Sequence, residues 1–276
     1  MKIKYLGTAA FEGIPNPFCE CEVCKKARRL GGRELRTRSQ ALIDGELLID
    51  FPGDAVRHAQ EYGLSFSGIK NLLITHSHSD HLIATDIRIK QPGFSNFSKE
   101  KILNIYGGKS AIDIIDEKCP GARGDYLELY EIHDFQKFVV GGYTVTALKA
   151  LHDMSSCPFF FIIEKDGKAL MYGNDTGYFL DETWDYLAKN PVHLDLVSLD
   201  CTAGNDPVMT YDSHMNLNDN IKVKQRLKEL GFADEKTIYV TTHFSHNGTS
   251  ANYCDFAPIA EKSGFLTAYD GMEIEF

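Results

Sequence analysis

Three histidines and one aspartate lie within the six residues from His76 to His81, in the order His-Ser-His-Ser-Asp-His. The chain has only 10 histidines among 276 residues, and chance produces a His-x-His-x-x-His spacing in roughly one such chain in a hundred. Neutral imidazole and carboxylate groups suit divalent metals such as zinc, manganese or iron. Four such side chains exceed what one ion takes from so short a turn, so the motif indicates two metals. The alternative is a solvated turn in which Asp80 caps a helix, which three histidines disfavour.

Further candidate ligands follow predicted strands elsewhere in the chain. His152 follows the strand-like run 144–148, Asp175 follows 169–174, and His243 follows the apolar run 238–240. Strand ends are where α/β sheets place their sites, so these residues and the histidine motif are expected to meet. Taken singly, each residue also fits an ordinary hydrogen-bonded turn.

Three of the seven cysteines, Cys19, Cys21 and Cys24, lie within six residues. Three thiolates suit a tetrahedral structural zinc, and a closed site needs a fourth ligand. His246, three residues beyond His243, is the candidate. Such a zinc would fasten the early loop, residues 7–24, against the edge that carries the histidine motif. The alternative is a cluster of unligated thiols. The remaining cysteines lack metal spacing and are interpreted as small buried or free thiols: Cys119, Cys157, Cys201 and Cys254.

The elements that must position these residues alternate between strands and helices. Asp44-Gly45 and Lys165-Asp166-Gly167 are typical of hairpin turns. A helix is expected from Asp54, as its cap, to Tyr62, and another starts after a cap at Asn216 or Asn218. The remaining expected helices are 24–30 and 252–262, and the expected strands are 2–6, 40–43, 47–51, 72–75, 103–106, 126–132, 138–140, 143–148, 159–164, 169–172, 194–199 and 237–241.

Composition limits the class of protein. The chain is 43% hydrophobic and 25% charged, and its formal net charge is −10. Residues 1–276 are expected to form one domain, since no linker or repeat interrupts them. No apolar stretch approaches the roughly 18 residues of a membrane span, and residues 1–5 alternate like a strand, so a cytoplasmic location is expected. The acidic balance disfavours generic nucleic-acid binding.

The histidine motif and the later candidates together resemble the metallo-β-lactamase superfamily nearly end to end. The resemblance implies an α/β fold, the αββα sandwich of two mixed β-sheets flanked by helices, with a dinuclear site at one edge. It also implies that Asp50, at a strand end, supports a ligand from behind. By the family pattern, one metal is held by His76, His78 and His152, the other by Asp80, His81 and His243, and Asp175 bridges the two.

The cysteine loop narrows the resemblance. Within the superfamily it looks like the phosphodiesterases that open phosphoribosyl 1,2-cyclic phosphate, and Leu6-Gly7-Thr8 and the stretch 36–39 look like that group too. The coenzyme PQQ biosynthesis B proteins carry a similar loop with a less complete ligand set. The resemblance therefore implies two active-site divalent ions, manganese or zinc, and one structural zinc. Two such ions share a water and lower its pKa toward roughly 7, which produces a hydroxide that attacks phosphorus.

His214 and Asp80 are the predicted catalytic residues. In phosphodiesterase branches, a histidine placed like His214 contacts the phosphate and protonates the leaving oxygen. The alternative for His214 is a structural loop histidine. Three other histidines have no partner pattern and are interpreted as surface or packing residues: His58, His133 and His193.

A small or cyclic phosphodiester, similar to phosphoribosyl 1,2-cyclic phosphate, is the expected substrate. The first alternative is an RNA-processing endonuclease of the tRNA 3′-processing type, which holds RNA with a basic, Gly-rich arm. The stretch Arg88–Lys101 carries four cations and two aromatic residues but is too short for that arm. The second alternative is a non-enzymatic metal or small-molecule carrier. A homodimer is expected from the family alone, and neither a membrane nor a nucleic acid is an expected partner.

Overall fold

Two seven-stranded sheets form the centre of the protein. The computed structural model describes residues 1–97, 102–208 and 212–276, and within these ranges the chain forms fourteen strands. They are β1 (Lys2–Gly7), β2 (Gln40–Ile43), β3 (Leu47–Ile49), β4 (Asn71–Leu73), β5 (Leu103–Gly107), β6 (Leu127–Glu131), β7 (Lys137–Val140), β8 (Tyr143–Lys149), β9 (Phe159–Lys165), β10 (Lys168–Gly173), β11 (Leu196–Asp200), β12 (Ile238–Thr242), β13 (Leu266–Thr267) and β14 (Glu273–Glu275).

Each sheet combines parallel and antiparallel pairs. The first sheet has the order β14-β1-β2-β3-β4-β5-β6 and is parallel from β3 to β6. The second has the order β13-β12-β11-β10-β9-β8-β7 and is parallel from β10 to β13. In the parallel parts the carboxyl ends of neighbouring strands lie at one edge of the sheet, which is where side chains from distant segments meet.

Helices cover both outer faces of the pair of sheets. They are α1 (Glu22–Leu30), α2 (Ala55–Glu61), α3 (Ala84–Ile87), α4 (Lys109–Lys118), α5 (Asp181–Lys189), α6 (Leu217–Glu229) and α7 (Tyr253–Lys262). One core lies between the sheets and includes Ile49 and Phe161. A second lies under α2, α3 and α4, and a third under α1, α5, α6 and α7. The predicted αββα class, two mixed sheets flanked by helices, is confirmed.

Both predicted hairpins form, and their turns have the backbone that their sequences favour. Asp44 and Gly45 have φ of 50° and 74°, and Asp166 and Gly167 have φ of 52° and 76°. Two consecutive left-handed residues match the right-handed twist of the flanking strands, and Asp-Gly tolerates them better than most dipeptides. The turns join β2 to β3 and β9 to β10 with registers that keep the apolar faces in the cores.

The two expected helix caps differ in outcome. Asn216 caps α6, because its side chain accepts a hydrogen bond from the backbone N–H of Asp219 at 2.8 Å. Asp54 precedes α2 as expected, but its side chain makes no capping bond. It instead accepts hydrogen bonds from the backbone N–H and the guanidinium of Arg38, at 3.2 and 3.3 Å. The predicted side-chain cap at Asp54 was therefore wrong, because the Asp54 carboxylate bonds to Arg38, a charged residue from another segment.

The basic stretch Arg88–Lys101 is described only in part. Residues 88–90 form a short 3₁₀-helix after α3, and residues 98–101 lie outside the described ranges. Along those ranges, no helix combines the length and the apolar character that are needed to cross a bilayer.

Candidate metal centre

The predicted ligands come from strand ends of both sheets. The histidine motif begins three residues after β4 in the first sheet. In the second sheet, His152 follows β8, Asp175 follows β10 and His243 follows β12 directly. Strands β10, β11 and β12 are parallel neighbours, so their carboxyl ends present Asp175 and His243 at the same edge. The structure therefore brings all seven predicted ligands together.

Three residues of this edge have a left-handed backbone. The φ angles of Asp50, Asp175 and His243 are 64°, 51° and 62°. Such a conformation costs a side-chain-bearing residue roughly 1–2 kcal/mol, and it concentrates at functional sites where the surrounding structure over-determines it. Each of the three residues lies within two positions of a strand end, where the chain turns sharply away from the sheet.

Two groups of donor atoms share Asp175. The donor atoms of His76, His78, His152 and Asp175 lie within 4.8 Å of one another. The same limit holds for a second group, which consists of Asp80, His81, His243 and again Asp175. The Oδ2 atom of Asp175 lies 3.2 Å from Nε2 of His76 and 3.2 Å from Nε2 of His81. This carboxylate thus lies between the histidines of the two groups.

The donor set fits divalent metals. The side chains of His76 and Asp175 are 1% and 3% exposed, yet His76 Nε2 and Asp175 Oδ1 have no hydrogen-bond partner of acceptable geometry. Nδ1 of His78 faces Nε2 of His152 at 3.1 Å, and Nε2 of His81 faces Nε2 of His243 at 3.3 Å. Buried polar atoms normally have partners, and imidazole nitrogens that converge in pairs are a typical arrangement of metal ligands.

Asp50 contacts His81, a member of the second donor group, through the ring nitrogen Nδ1. It is fully buried, and its Oδ2 accepts a hydrogen bond from Nδ1 of His81 at 2.6 Å. Its Oδ1 accepts a hydrogen bond from the backbone N–H of Thr75 at 2.8 Å. Burial lowers the pKa of His81, but the charges of Asp50 and Asp80 outweigh it and raise that pKa. A carboxylate behind a ligating histidine fixes the ring and its tautomer, so Nε2 faces the site.

Asp153 makes a similar contact with His78, a member of the first donor group. Its carboxylate lies 3.1 Å from Nε2 of His78, which leaves Nδ1 of that ring facing His152. Asp153 is itself held by the backbone N–H and the hydroxyl of Ser155. Those hydrogen bonds and the contact with His78 lower the pKa of Asp153 to about 2.

His214 lies beside the bridging carboxylate. Its Nδ1 is 3.1 Å from Oδ1 of Asp175 and 3.3 Å from Oδ2 of Asp200. Burial lowers the pKa of His214, but the contacts with these two carboxylates outweigh it and raise the pKa to about 11. Because Nδ1 faces the carboxylates, Nε2 is the atom that remains to act on a bound molecule.

Sequence reasoning missed Asp200, the last residue of β11. It is fully buried, and its Oδ2 lies 3.2 Å from Nδ1 of His243 and 3.3 Å from Nδ1 of His214. Its Oδ1 accepts hydrogen bonds from the backbone N–H groups of Thr202 and Met215. Burial raises the pKa of Asp200, but the hydrogen bonds to the two histidines lower it to about 2. The signal was present, since Asp200 ends an apolar strand as the other site residues do.

The cysteine cluster and its expected fourth member also meet. The donor atoms of Cys19, Cys21, Cys24 and His246 lie within 4.8 Å of one another. Nδ1 of His246 is 3.6 Å from the Sγ atoms of both Cys19 and Cys21. Burial raises the pKa of the Cys21 thiol, but the backbone N–H of Cys24 and neighbouring side chains outweigh it and lower the pKa to about 7. Three thiols and one imidazole are a donor set that tetrahedral zinc accepts.

Among the described residues, the remaining cysteines and histidines belong to none of these donor groups. Cys119 and Cys201 are buried, and all four remaining cysteines are free thiols. His133 and His193 are exposed, as their surface interpretation requires. His58 is buried and contacts Gln40 and Thr37, which fits the packing interpretation.

A cavity of about 500 Å³ opens onto the metal centre. Its lining includes members of the two ligand groups, His214, and Phe11 and Glu12 from the early loop. The segments that follow β11 and β12 contribute further lining residues, among them Asp206 and Asn247. A cavity of this volume accommodates a small molecule.

Comparison with known proteins agrees with this geometry. Residues 48–244 match the family described as the β-lactamase superfamily domain, and this range contains every candidate ligand of the two shared groups. The chain belongs to this family. The cysteines of the cysteine cluster precede the matched range and His246 follows it, so that cluster lies outside the matched residues.

Curated proteins match parts of this β-lactamase superfamily chain. An octanoyltransferase of Porphyromonas gingivalis (strain ATCC BAA-308 / W83) is 28% identical over 166 residues, which are 55% of this chain and 31% of that protein. Coenzyme PQQ synthesis protein B of Bradyrhizobium diazoefficiens is 24% identical over 130 residues, which are 43% of this chain and 42% of that protein. The chain thus spans less than half the length of the curated relatives it matches.

Solved structures resemble the whole chain. Zn(2+)-bound PqqB from Methylobacterium extorquens has a TM-score of 0.74 at 20% identity, with 100% of both chains covered. A diphosphatase from the PhnP family has a TM-score of 0.73 at 18% identity, covering 100% of this chain and 97% of that one. The short form of human tRNase Z has a TM-score of 0.67 at 19% identity, covering 100% and 99%. Identities this low show a shared fold.

Proposed function

We propose that the protein is a metal-dependent hydrolase that cleaves a small or cyclic phosphodiester, similar to phosphoribosyl 1,2-cyclic phosphate. The observation that carries the proposal is the pair of donor groups that share Asp175, with His214 at 3.1 Å from the same carboxylate. His76, His78, His152 and Asp175 would hold one ion, and Asp80, His81, His243 and Asp175 the other. When bound, two divalent cations supply an activated water and neutralise negative charge on phosphorus.

The chain's own residues position the substrate and move one proton. In hydrolysis, a water oxygen bonds to phosphorus and that water releases a proton to solvent, one ester P–O bond breaks, and the departing alkoxide takes up a proton. His214 is placed to give that proton from Nε2, because Asp175 and Asp200 hold its Nδ1. A positioned acid of this kind contributes typically ~10²–10⁴-fold. Asp80 would be a ligand of the second ion, and its side chain lines the cavity beside the reacting group.

Several observations support a small substrate over a long polyanion. The cavity of about 500 Å³ matches one nucleotide-sized molecule, and the chain has a net charge of −10. Because the fold is similar to that of human tRNase Z, the experiment below also tests for an RNA-processing endonuclease. Because it is similar to that of PqqB, the experiment also tests for a non-enzymatic carrier. A homodimer and a cytoplasmic location remain predictions from the sequence.

A substrate panel combined with metal analysis tests the proposal. Purified protein, expressed with added manganese and zinc, is incubated with cyclic nucleotides, phosphoribosyl cyclic phosphate, an aryl phosphodiester and precursor tRNA. We expect about three divalent metals per chain and turnover of the small diesters. Cleavage of precursor tRNA alone would favour the nuclease, and bound metals without any turnover would favour the carrier. Protein without metal after supplementation would contradict the metal centre itself.

A further inference from the structure

A second cavity, of about 340 Å³, is formed by the short 3₁₀-helix Gly32–Glu34, by α2 and by the chain that follows β13. In the described part of the chain, it shares no lining residue with the cavity at the metal centre. Its lining includes the guanidinium groups of Arg33 and Arg57 and the carboxylates of Glu61 and Asp270. The balance of these charges determines which kind of molecule the cavity can bind.

Arg33 is held in place by two aromatic rings. Its guanidinium carbon lies 4.1 Å from the ring centre of Tyr269 and 5.3 Å from that of Tyr253. Nη1 donates to the hydroxyl of Tyr253 at 3.1 Å, and Nη2 donates to that of Tyr269 at 3.4 Å. No carboxylate of the described residues forms an ion pair with Arg33. The tyrosines therefore fix the cation without neutralising it, and its other N–H donors remain for a bound molecule.

Arg57 contributes a second guanidinium to the same cavity. It is exposed on α2, and the described residues provide it with neither a hydrogen bond nor an ion pair. Guanidinium groups match the geometry of phosphate oxygens, which they bind through paired N–H donors. A cation that is already fixed, as Arg33 is, loses less conformational entropy when it binds.

The two carboxylates of the cavity do not cancel the charge of the two guanidinium groups. When Asp270 is ionised, its charge is opposed by that of the buried guanidinium of Arg36, which lies outside the cavity lining. His58 is neutral at neutral pH, because burial lowers its pKa to about 4. Glu61 alone then opposes two cations, so the cavity carries a net positive charge although the whole chain has a net charge of −10.

We propose that this cavity is a second binding site, which takes a phosphate group, either as inorganic phosphate or as a phosphomonoester. Arg33 and Arg57 would donate hydrogen bonds to the phosphate oxygens. The cavity of about 340 Å³ is also large enough for a small sugar that carries such a group. This inference goes beyond the proposed function, because the site is separate from the metal centre and binds a ligand without cleaving it.

Isothermal titration calorimetry of the metal-loaded protein tests the proposal. The ligands are inorganic phosphate, ribose 5-phosphate and, as an uncharged control, ribose. Phosphate also binds divalent metals, so the site is recognised as the binding event that depends on Arg33 and Arg57. We expect this event with both phosphates and not with ribose, and the tighter of the two phosphates identifies the form that the site prefers.

Variants assign the binding event to the two cations. Arg33→Gln and Arg57→Gln should each weaken it by about tenfold or more, because each removes charge-assisted hydrogen bonds. Arg57→Lys keeps the positive charge and should lose less affinity than Arg57→Gln. The matched control is Arg29→Gln, which removes an exposed arginine of α1 outside the cavity and should bind both phosphates as the parent protein does. Thermal unfolding without ligand checks that each variant is folded.

The outcomes separate this inference from the proposed function. Phosphate binding that neither Arg33→Gln nor Arg57→Gln weakens would overturn the inference, and so would binding of ribose as tight as that of ribose 5-phosphate. An equal loss of affinity in the Arg29 control would show that only the general surface charge matters, and would overturn it too. Absence of turnover in the substrate panel would reject the proposed function and leave this inference standing, because calorimetry measures binding without turnover.

Discussion

At the scale of single residues, we expect removal of His214 to separate chemistry from metal binding. It contacts Asp175 and Asp200 but belongs to neither of the two groups that would hold the shared ions. We expect His214→Ala to lower turnover of an alkyl phosphodiester by about 10²–10⁴-fold, because a departing alkoxide needs a proton. An aryl phosphodiester should lose much less, since its phenolate leaves without one. Steady-state rates on both substrates, with metal analysis of each protein, measure the difference.

The control for this prediction is His133→Ala, which removes an exposed histidine. It should change neither rate nor metal content. Equal losses on the alkyl and the aryl substrate, or loss of metal in the His214 variant, would show that His214 supports the site instead of donating a proton.

Single residues of the site could be predicted where their spacing is distinctive. The motif His76–His81 and the cysteine cluster are dense in ligands, so local sequence was sufficient to place them. The only sequence signal of Asp200 is its place at the end of an apolar strand, and its contact with His243 becomes apparent only from the order of β10, β11 and β12. The left-handed backbones of Asp175 and His243 were beyond sequence reasoning too, because only tertiary contacts stabilise them.

At the scale of elements, the early loop is tied to the active-site edge at both ends. Its backbone pairs with the chain after His243, through hydrogen bonds of Ala10 and Thr8 with Phe244. The cysteine cluster ties its far end to His246. The guanidinium of Arg28 on α1 donates to the carbonyls of Asn16 and Cys19, which holds the loop to α1 as well. A zinc ion in the cluster would therefore hold Phe11 and Glu12 on the cavity wall.

Removal of one thiol tests this attachment. We expect Cys21→Ser to lose one chelation-resistant zinc per chain, while the metals of the shared groups remain. The melting temperature should fall by about 4 °C or more, because a ligand that binds only the folded state stabilises it. KM should rise more than kcat falls, since the loop lines the cavity without touching the metals. Metal analysis, thermal unfolding and kinetics provide the three readings.

Cys254→Ser is the matched control, since Cys254 is exposed on α7 and lies outside the cluster. It should keep the zinc and the melting temperature of the parent protein. A Cys21 variant that keeps all its tightly bound zinc would contradict the assignment of the cluster.

Strands and hairpins with strong local signals were predictable, and several helices were not. The Asp-Gly turns and the apolar runs of β9 to β12 carried enough information for their positions to be predicted. The helices α4 and α5 were not predicted, although each buries an apolar stripe against its sheet, with Ile112 and Ile115 on α4 and Trp184 and Leu187 on α5. The mixed composition of these two segments does not predict a helix by itself, because most of the stability of such helices comes from packing their apolar stripe against a sheet.

At the scale of the whole molecule, a chain of partly and fully buried polar side chains connects the outer helical layer to the metal centre. The hydroxyl of Thr37 lies 2.6 Å from Oδ2 of Asp270 and 2.7 Å from Nε2 of His58. Nδ1 of His58 lies 2.6 Å from Oε1 of Gln40, whose amide donates to the carbonyl of Asp50. One hydroxyl proton on Thr37 thus faces two acceptors, because the amide of Gln40 fixes the proton of His58 on Nδ1.

A proton on Asp270 allows the Thr37 hydroxyl to form hydrogen bonds with both Asp270 and His58. Burial raises the pKa of Asp270 to about 6, against the opposing effect of its hydrogen bonds with Thr37 and Thr8. Burial lowers the pKa of His58 to about 4, so the imidazole does not supply the proton at neutral pH. Protonated Asp270 donates to the hydroxyl of Thr37, which then donates to His58. The chain is fully hydrogen-bonded only while that carboxyl group keeps its proton.

This arrangement predicts a measurable pH dependence of stability. The pKa of Asp270 in the folded protein lies above the value of about 3.9 for an unfolded chain. Its stabilising contribution to the free energy of unfolding is therefore fully present below about pH 4. That contribution is lost as the pH rises through about 6, and its size is on the order of 2 kcal/mol. Asp270→Asn cannot lose a proton. The free energy of unfolding of the parent protein minus that of the variant should therefore fall between pH 4 and pH 7.

Urea unfolding of both proteins at each pH unit from 4 to 8 measures this difference directly. Asp113→Asn, which changes an exposed carboxylate paired with Lys109 on α4, should leave the difference flat across the same range. Taking the difference between parent and variant cancels the titrations that both proteins share. One of these is the titration of His58, whose lowered pKa makes both proteins less stable as the pH falls from about 6.5 to 4. A difference that rises with pH, or stays constant, would mean that Asp270 is ionised throughout, and the proton-sharing chain behind Asp50 would then be wrong.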